Sequence, residues 1–242
     1  MSSDLGIEAL LGRKFYANGW ARPALRGLLH GLSTIFLLPA LITCVLALAV
    51  GALPWPWWRL ASLLLAKFAS CFASSMLHLC PHKSEPEMRA WMKADMVTLC
   101  FAVWAPTSAF LADLGHWLAQ FCLVCCVAAA TYLLSDLEAG SSEASLRTLD
   151  GRRSMRTALN MAFFVWCLLL IGWQNGFDGL WIGGALSYGA ATAVSPPFYR
   201  KYSPAPWHQP SRNGWHEDFH LLVACGDALF AAMACRFLGG GP

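Results

Sequence analysis

Apolar residues run along this chain in long segments, divided by short clusters of Arg, Lys, Glu and Pro. From Gly27 to Trp58 no charged residue interrupts. Segments of about twenty apolar residues can cross a hydrocarbon core ~30 Å thick as helices. The pattern predicts seven such spans, over 30–53, 58–80, 94–112, 116–135, 157–176, 178–198 and 218–237. Pro39 falls inside the first and predicts a kink there. The run Pro54-Trp55-Pro56-Trp57-Trp58 predicts a tight turn whose tryptophans suit a membrane interface.

Composition narrows the class. Of 242 residues, 57% are hydrophobic and only 13% are charged, against roughly 25% charged in soluble domains. A soluble domain of this size could not hide so much apolar surface. The expected fold is therefore an all-α integral membrane protein, a seven-transmembrane helix bundle for which the lipid bilayer is the first partner. The domain plan is a cytoplasmic segment over 1–26, the bundle over 27–238 and a short tail over 239–242. The first 26 residues carry Asp4, Glu8, Arg13, Lys14, Arg22 and Arg26 and have no apolar core of a signal peptide. Leu5, Ile7, Leu10 and Leu11 in that segment suit one face of a short interfacial helix. The ten cysteines lie mostly inside apolar segments, with Cys122, Cys125 and Cys126 clustered, and read as small core residues. A formal net charge of +3 is too small to imply nucleic-acid binding.

The basic residues set an orientation. Arg13, Lys14, Arg22 and Arg26 precede the first span, and Lys83, Arg89 and Lys93 separate the second from the third. Arg147, Arg152, Arg153 and Arg156 lie between the fourth and fifth, and Arg200, Lys201 and Arg212 between the sixth and seventh. The connections on the other side hold almost none. The positive-inside rule then puts the N-terminus in the cytoplasm and the C-terminus on the opposite side.

Ionisable groups at membrane depth are functional candidates. Ser74 and His78, four apart near the cytoplasmic end of span two, share a helical face. Asp95 opens the antiparallel span three, and His216 and His220 open span seven at the same side. Taken singly, a histidine at a helix end reads as an interfacial residue, and Asp95 as a partner of Lys93 or a helix cap. Taken together, three imidazoles with a carboxylate nearby suit zinc, with a fourth tetrahedral position left for water. Asp95 would contact the metal through that water and serve as base, and Ser74 would orient a ligand or donate to a developing oxyanion.

His216-Glu217-Asp218-Phe219-His220 also spells H-E-x-x-H, the zinc-protease helix. The protease reading fails in the residues beyond His220. Val223 and Gly226 stand where the longer protease motif needs Gly and His, and Asp227 lies about two helical turns past the second histidine. The third ligand must come from elsewhere, and His78 is best placed. Glu217 points off the histidine face.

Four ordered blocks carry a resemblance to the hemolysin III family, within the progestin and adipoQ receptor superfamily. They are "RPALRGLLHG" (22–31), "ASSMLHLCPHKSEPEMRAWMKADMVTLCFAVWAPTSAF" (73–110), "GLWIGGALSYGAATAVSPPFY" (179–199) and "GWHEDFHLLVACGD" (214–227). Together they span roughly a third of the chain. The resemblance implies seven helices and a zinc ion near the cytoplasmic face, with His78, His216 and His220 as ligands, Asp95 through water and Ser74 nearby. Alkaline ceramidases are more distantly similar, which implies zinc-dependent hydrolysis of a lipid amide or ester, such as a ceramide. The chain departs from the family at Leu77, where an aromatic is common, and at Phe230, where a late histidine is common. Lys67 and Asp227 are unusual charges inside spans, placed to pair or to line a cavity. Two other readings stay open: a receptor or signalling protein with structural zinc, and a pore, for which little polar lining is visible.

Overall fold

The computed structural model describes residues 27–111, 113–139, 146–193 and 215–239. These residues form seven helices and no strand: α1 (Leu28–Ala49), α2 (Trp58–Leu79), α3 (Glu85–Phe110), α4 (Leu114–Ala139), α5 (Leu146–Asn175), α6 (Gly179–Ala193) and α7 (Trp215–Leu238). Each expected span falls on one of these helices. Five of them are long and apolar enough to cross a membrane: Leu28–Ala49, Trp58–Leu79, Leu114–Ser135, Met155–Gln174 and Asp218–Leu238. The first 26 residues lie outside the described part, as does the rest of the sixth expected span beyond Ala193.

Local chemistry sets the helix ends. Gly51, at φ 71°, turns the chain after α1, and a short 3-10 turn over Trp55–Trp57 leads into α2. Pro39 sits within α1, which continues on both sides of it. Ser84 caps α3 by accepting the Glu87 N–H at 3.4 Å, while the Glu87 carboxylate accepts the Lys83 N–H at 2.7 Å. That cap starts α3 nine residues before the expected span at 94. The added turns carry Glu85, Glu87, Arg89 and Lys93, and the remainder up to Phe110 still holds Asp95, Thr98, Pro106, Thr107 and Ser108, so α3 is not among the five apolar spans. Asp178 caps α6 by accepting the Trp181 N–H at 2.9 Å.

Hydrophobic sorting runs in both directions. Inside, α3 is the hub: Cys100, Ala102, Trp104, Ala105, Ala109 and Phe110 are all buried. One face meets Leu63 of α2, Ile171 of α5, Tyr188 of α6 and Phe230 of α7, and another meets Val124 and Val127 of α4 and Phe163 of α5. Outside, Ile35, Phe36, Trp173 and Leu186 stand open, Trp173 at 82% exposure. Within α1 the one buried side chain is Cys44. So much outward apolar surface fits hydrocarbon rather than water.

Candidate functional site

The site begins as a polar stripe on an apolar helix. Along α2, Lys67, Ser70, Ser74 and His78 recur every three or four residues and all are buried. Helices exposed to hydrocarbon turn polar side chains inward, because lipid offers them no hydrogen bonds. The Ser74 Oγ is fully enclosed and has no hydrogen-bond partner at ordinary geometry. The group it faces is the half-buried Asp95 carboxyl of α3, close enough to influence that carboxyl. Asp95 lies nearly three turns inside α3 and therefore does not cap it; Ser84 does. After α2, the buried His82 ring donates through Nε2 to the Leu77 carbonyl at 2.9 Å, closing the helix end.

The start of α1 joins this end of α2 to the start of α7. Gly27 has φ 84°, a conformation suited to glycine, and a Cβ placed on it would come within 2.6 Å of the His78 Cβ. One turn on, a Cβ on Gly31 would come within 2.9 Å of a Leu79 methyl. Between these glycines, His30 reaches the other way. Its Nε2 lies 2.7 Å from the Nδ1 of His220 on α7, and the two rings meet edge to face with centroids 4.0 Å apart. His78, Ser74, Asp95, His30 and His220 are thus gathered at one end of the bundle. His30 escaped selection from the sequence; a histidine flanked by glycine at the start of an uncharged apolar run was its only signal.

Deeper in the bundle the polar string continues. The Lys67 ammonium lies 2.5 Å from the Asp227 carboxylate and 3.3 Å from the Tyr188 hydroxyl, which itself donates to Asp227. Lys67 and Asp227, both conspicuous in the sequence, form a pair. His30 lies within electrostatic reach of both. The Cys71 thiol, hydrogen-bonded with Ser33, senses Lys67, Asp227 and Asp95 together. Beyond Tyr188 lies the Cys167 thiol, set against the buried Thr107 hydroxyl. The Tyr188 ring packs on Phe164 and Phe230, within a core that includes Phe110, Ile171 and Met233.

The expected ligand set is only partly described. The His216 and Glu217 side chains lie outside the described residues, although their backbone belongs to α7. Among the described residues, no three His, Cys, Asp or Glu side chains come together as a metal-ligand group. The donor types nonetheless fit zinc: imidazole nitrogens on α2 and α7, with a carboxyl and an enclosed hydroxyl beside them.

No known protein-family model matches the chain, and no curated protein matches it significantly.

Proposed function

We propose that this chain is a seven-span membrane protein, N-terminus in the cytoplasm and C-terminus opposite, that acts as a zinc-dependent hydrolase on a lipid amide or ester of the ceramide type. The proposal includes membership of the hemolysin III family, supported by the four ordered sequence blocks. The observation that carries the chemistry is the enclosed Ser74 hydroxyl set against the Asp95 carboxyl on the polar face that ends in His78. A hydroxyl enclosed beside a carboxyl, outside ordinary hydrogen-bond geometry with it, is placed to donate when charge develops on substrate.

His78, His216 and His220 would hold the zinc ion, with Asp95 reaching it through water. When bound, zinc would supply Lewis-acid activation of water and of the scissile carbonyl. Asp95 takes the proton of the attacking water and returns it to the leaving amine or alcohol. Ser74 donates its hydroxyl to the oxygen on which negative charge grows. The apolar exterior keeps the site within reach of lipid.

The Lys67–Asp227 pair favours a second reading, in which zinc is structural and the protein is a receptor or signalling element. A buried pair joining α2 to α7 would serve a rigid metal-tied bundle equally well. A pore is the weaker reading, because Phe164 and Phe230 pack directly against the Tyr188 ring on the polar string. Fatty-acid release from ceramide by the purified protein in lipid nanodiscs, read by mass spectrometry, separates the first two. The hydrolase reading expects turnover that falls at least about 100-fold in Asp95→Asn with zinc content unchanged. No release by the wild type, or equal release by the variant, contradicts it.

A further inference from the structure

His30 belongs to none of the roles above, yet it meets a second histidine directly. Its Nε2 and the Nδ1 of His220 are 2.7 Å apart, a hydrogen-bond distance, across a sequence separation of 190 residues. Two ring nitrogens at that distance share one proton. Either His220 carries it on Nδ1 and donates, or His30 carries it on Nε2 and donates.

The two arrangements have different chemical consequences. A neutral imidazole with its proton on Nδ1 has its lone pair on Nε2. With Nδ1 engaged by His30, a metal on His220 must sit on Nε2. That requires the first arrangement, in which His30 is the acceptor. Histidines that ligate metals commonly donate their other N–H to a fixed acceptor, which sets both tautomer and ring orientation. The acceptor is usually a carboxylate, a carbonyl or water; here it would be a second imidazole.

The backbone makes this acceptor rigid. His30 sits in the first turn of α1, between Gly27 and Gly31, whose missing side chains let α1 close on His78 and Leu79. The two ring planes stand at 82° to each other with the His30 Nε2 and His220 Nδ1 in hydrogen-bond range. A Thr34 hydroxyl ties the next turn back to the His30 carbonyl at 2.8 Å.

We propose that His30 is a positioning residue: its Nε2 accepts the Nδ1–H of His220 and so presents His220 Nε2 as the ligating nitrogen. This rests on the reading of His220 as a zinc ligand and adds the residue that prepares it.

The test uses full-length protein in lipid nanodiscs, ¹⁵N-labelled at histidine, stripped of metal and held at mildly alkaline pH. Long-range ¹⁵N–¹H correlations report the tautomer of each imidazole, and loss of signals in His220→Gln assigns His220. The wild type should show His220 protonated on Nδ1. His30→Ala should shift it toward the Nε2-protonated form, and His30→Gln, whose amide oxygen accepts, should restore the wild-type spectrum. Zinc retention against a chelator should weaken about 10–100-fold in His30→Ala and recover in His30→Gln. His220 protonated on Nε2 in the wild type overturns the proposal without any variant, as does unchanged zinc affinity in a folded His30→Ala. A wild type that binds no zinc but keeps the Nδ1–H tautomer removes the metal reading and leaves the His30 assignment supported.

Discussion

The Lys67 ammonium lies 2.5 Å from the Asp227 carboxylate, so one buried charge pair joins α2 to α7 inside the bundle. The Lys67 side chain is 9% exposed and that of Asp227 28%, and Tyr188 satisfies both. Lys67 lies seven residues before Ser74, and Asp227 seven after His220, so the pair fixes the two helices that carry the candidate ligands.

Removing one partner leaves an uncompensated charge. Lys67→Met and Asp227→Asn should each lower stability by about 3–5 kcal/mol. The double variant should cost less than either single change, because no lone charge remains. Unfolding curves in mixed micelles measure all three, and additive losses would show that the two charges do not interact.

Gly27 gives a steric test of the same end. Gly27→Ala must place a methyl group into the His78 Cβ at a φ of 84°. The backbone strain alone costs about 1–2 kcal/mol, and the collision must also displace His78 or α1. Gly51→Ala has the same backbone problem, at φ 71°, with open space around it. Thermal unfolding and zinc content should therefore separate them: Gly51→Ala loses stability alone, whereas Gly27→Ala loses stability and metal. Equal effects would mean that α1 does not support His78.

Most of the architecture was legible in the sequence because lipid imposes a length. Runs of apolar residues placed all seven helices, but two began far from their expected positions: α5 at Leu146 rather than 157, and α3 at Glu85 rather than 94. The first turns of α3 are polar and carry no apolar period, so the span pattern missed them and the Ser84–Glu87 cap shows their start only in the structure. The shared face of Ser74 and His78 was legible because it needs only the helical repeat. That Asp95 faces Ser74 followed from the short loop between antiparallel helices. His30 was hidden because its partner is 190 residues away, and no local pattern encodes that approach. Lys67 and Asp227 stood out as charges in spans, whereas their link through Tyr188 depends on how α6 packs against α7.

Ser74 should show opposite effects on stability and turnover. Its Oγ is enclosed and outside ordinary hydrogen-bond geometry with the Asp95 carboxyl it faces, so Ser74→Ala removes a polar burial and should leave stability unchanged or raise it by up to about 1 kcal/mol. If the hydroxyl donates to a developing oxyanion, the same change should reduce turnover about 100- to 1000-fold. Parallel unfolding and hydrolysis assays decide the point. A destabilised Ser74→Ala would mean that the hydroxyl has a structural partner, and unimpaired turnover would remove it from the chemistry.

The hydrolase and receptor readings both require a zinc site built from α2 and α7, and the metal content of the purified protein measures it outright. Plasma emission spectrometry of the full chain in detergent should give close to one zinc per chain. His78→Ala and His220→Ala, each still folded by helical circular dichroism, should hold almost none. A wild type without stoichiometric zinc, or a folded His78→Ala that retains all of it, would rule that site out.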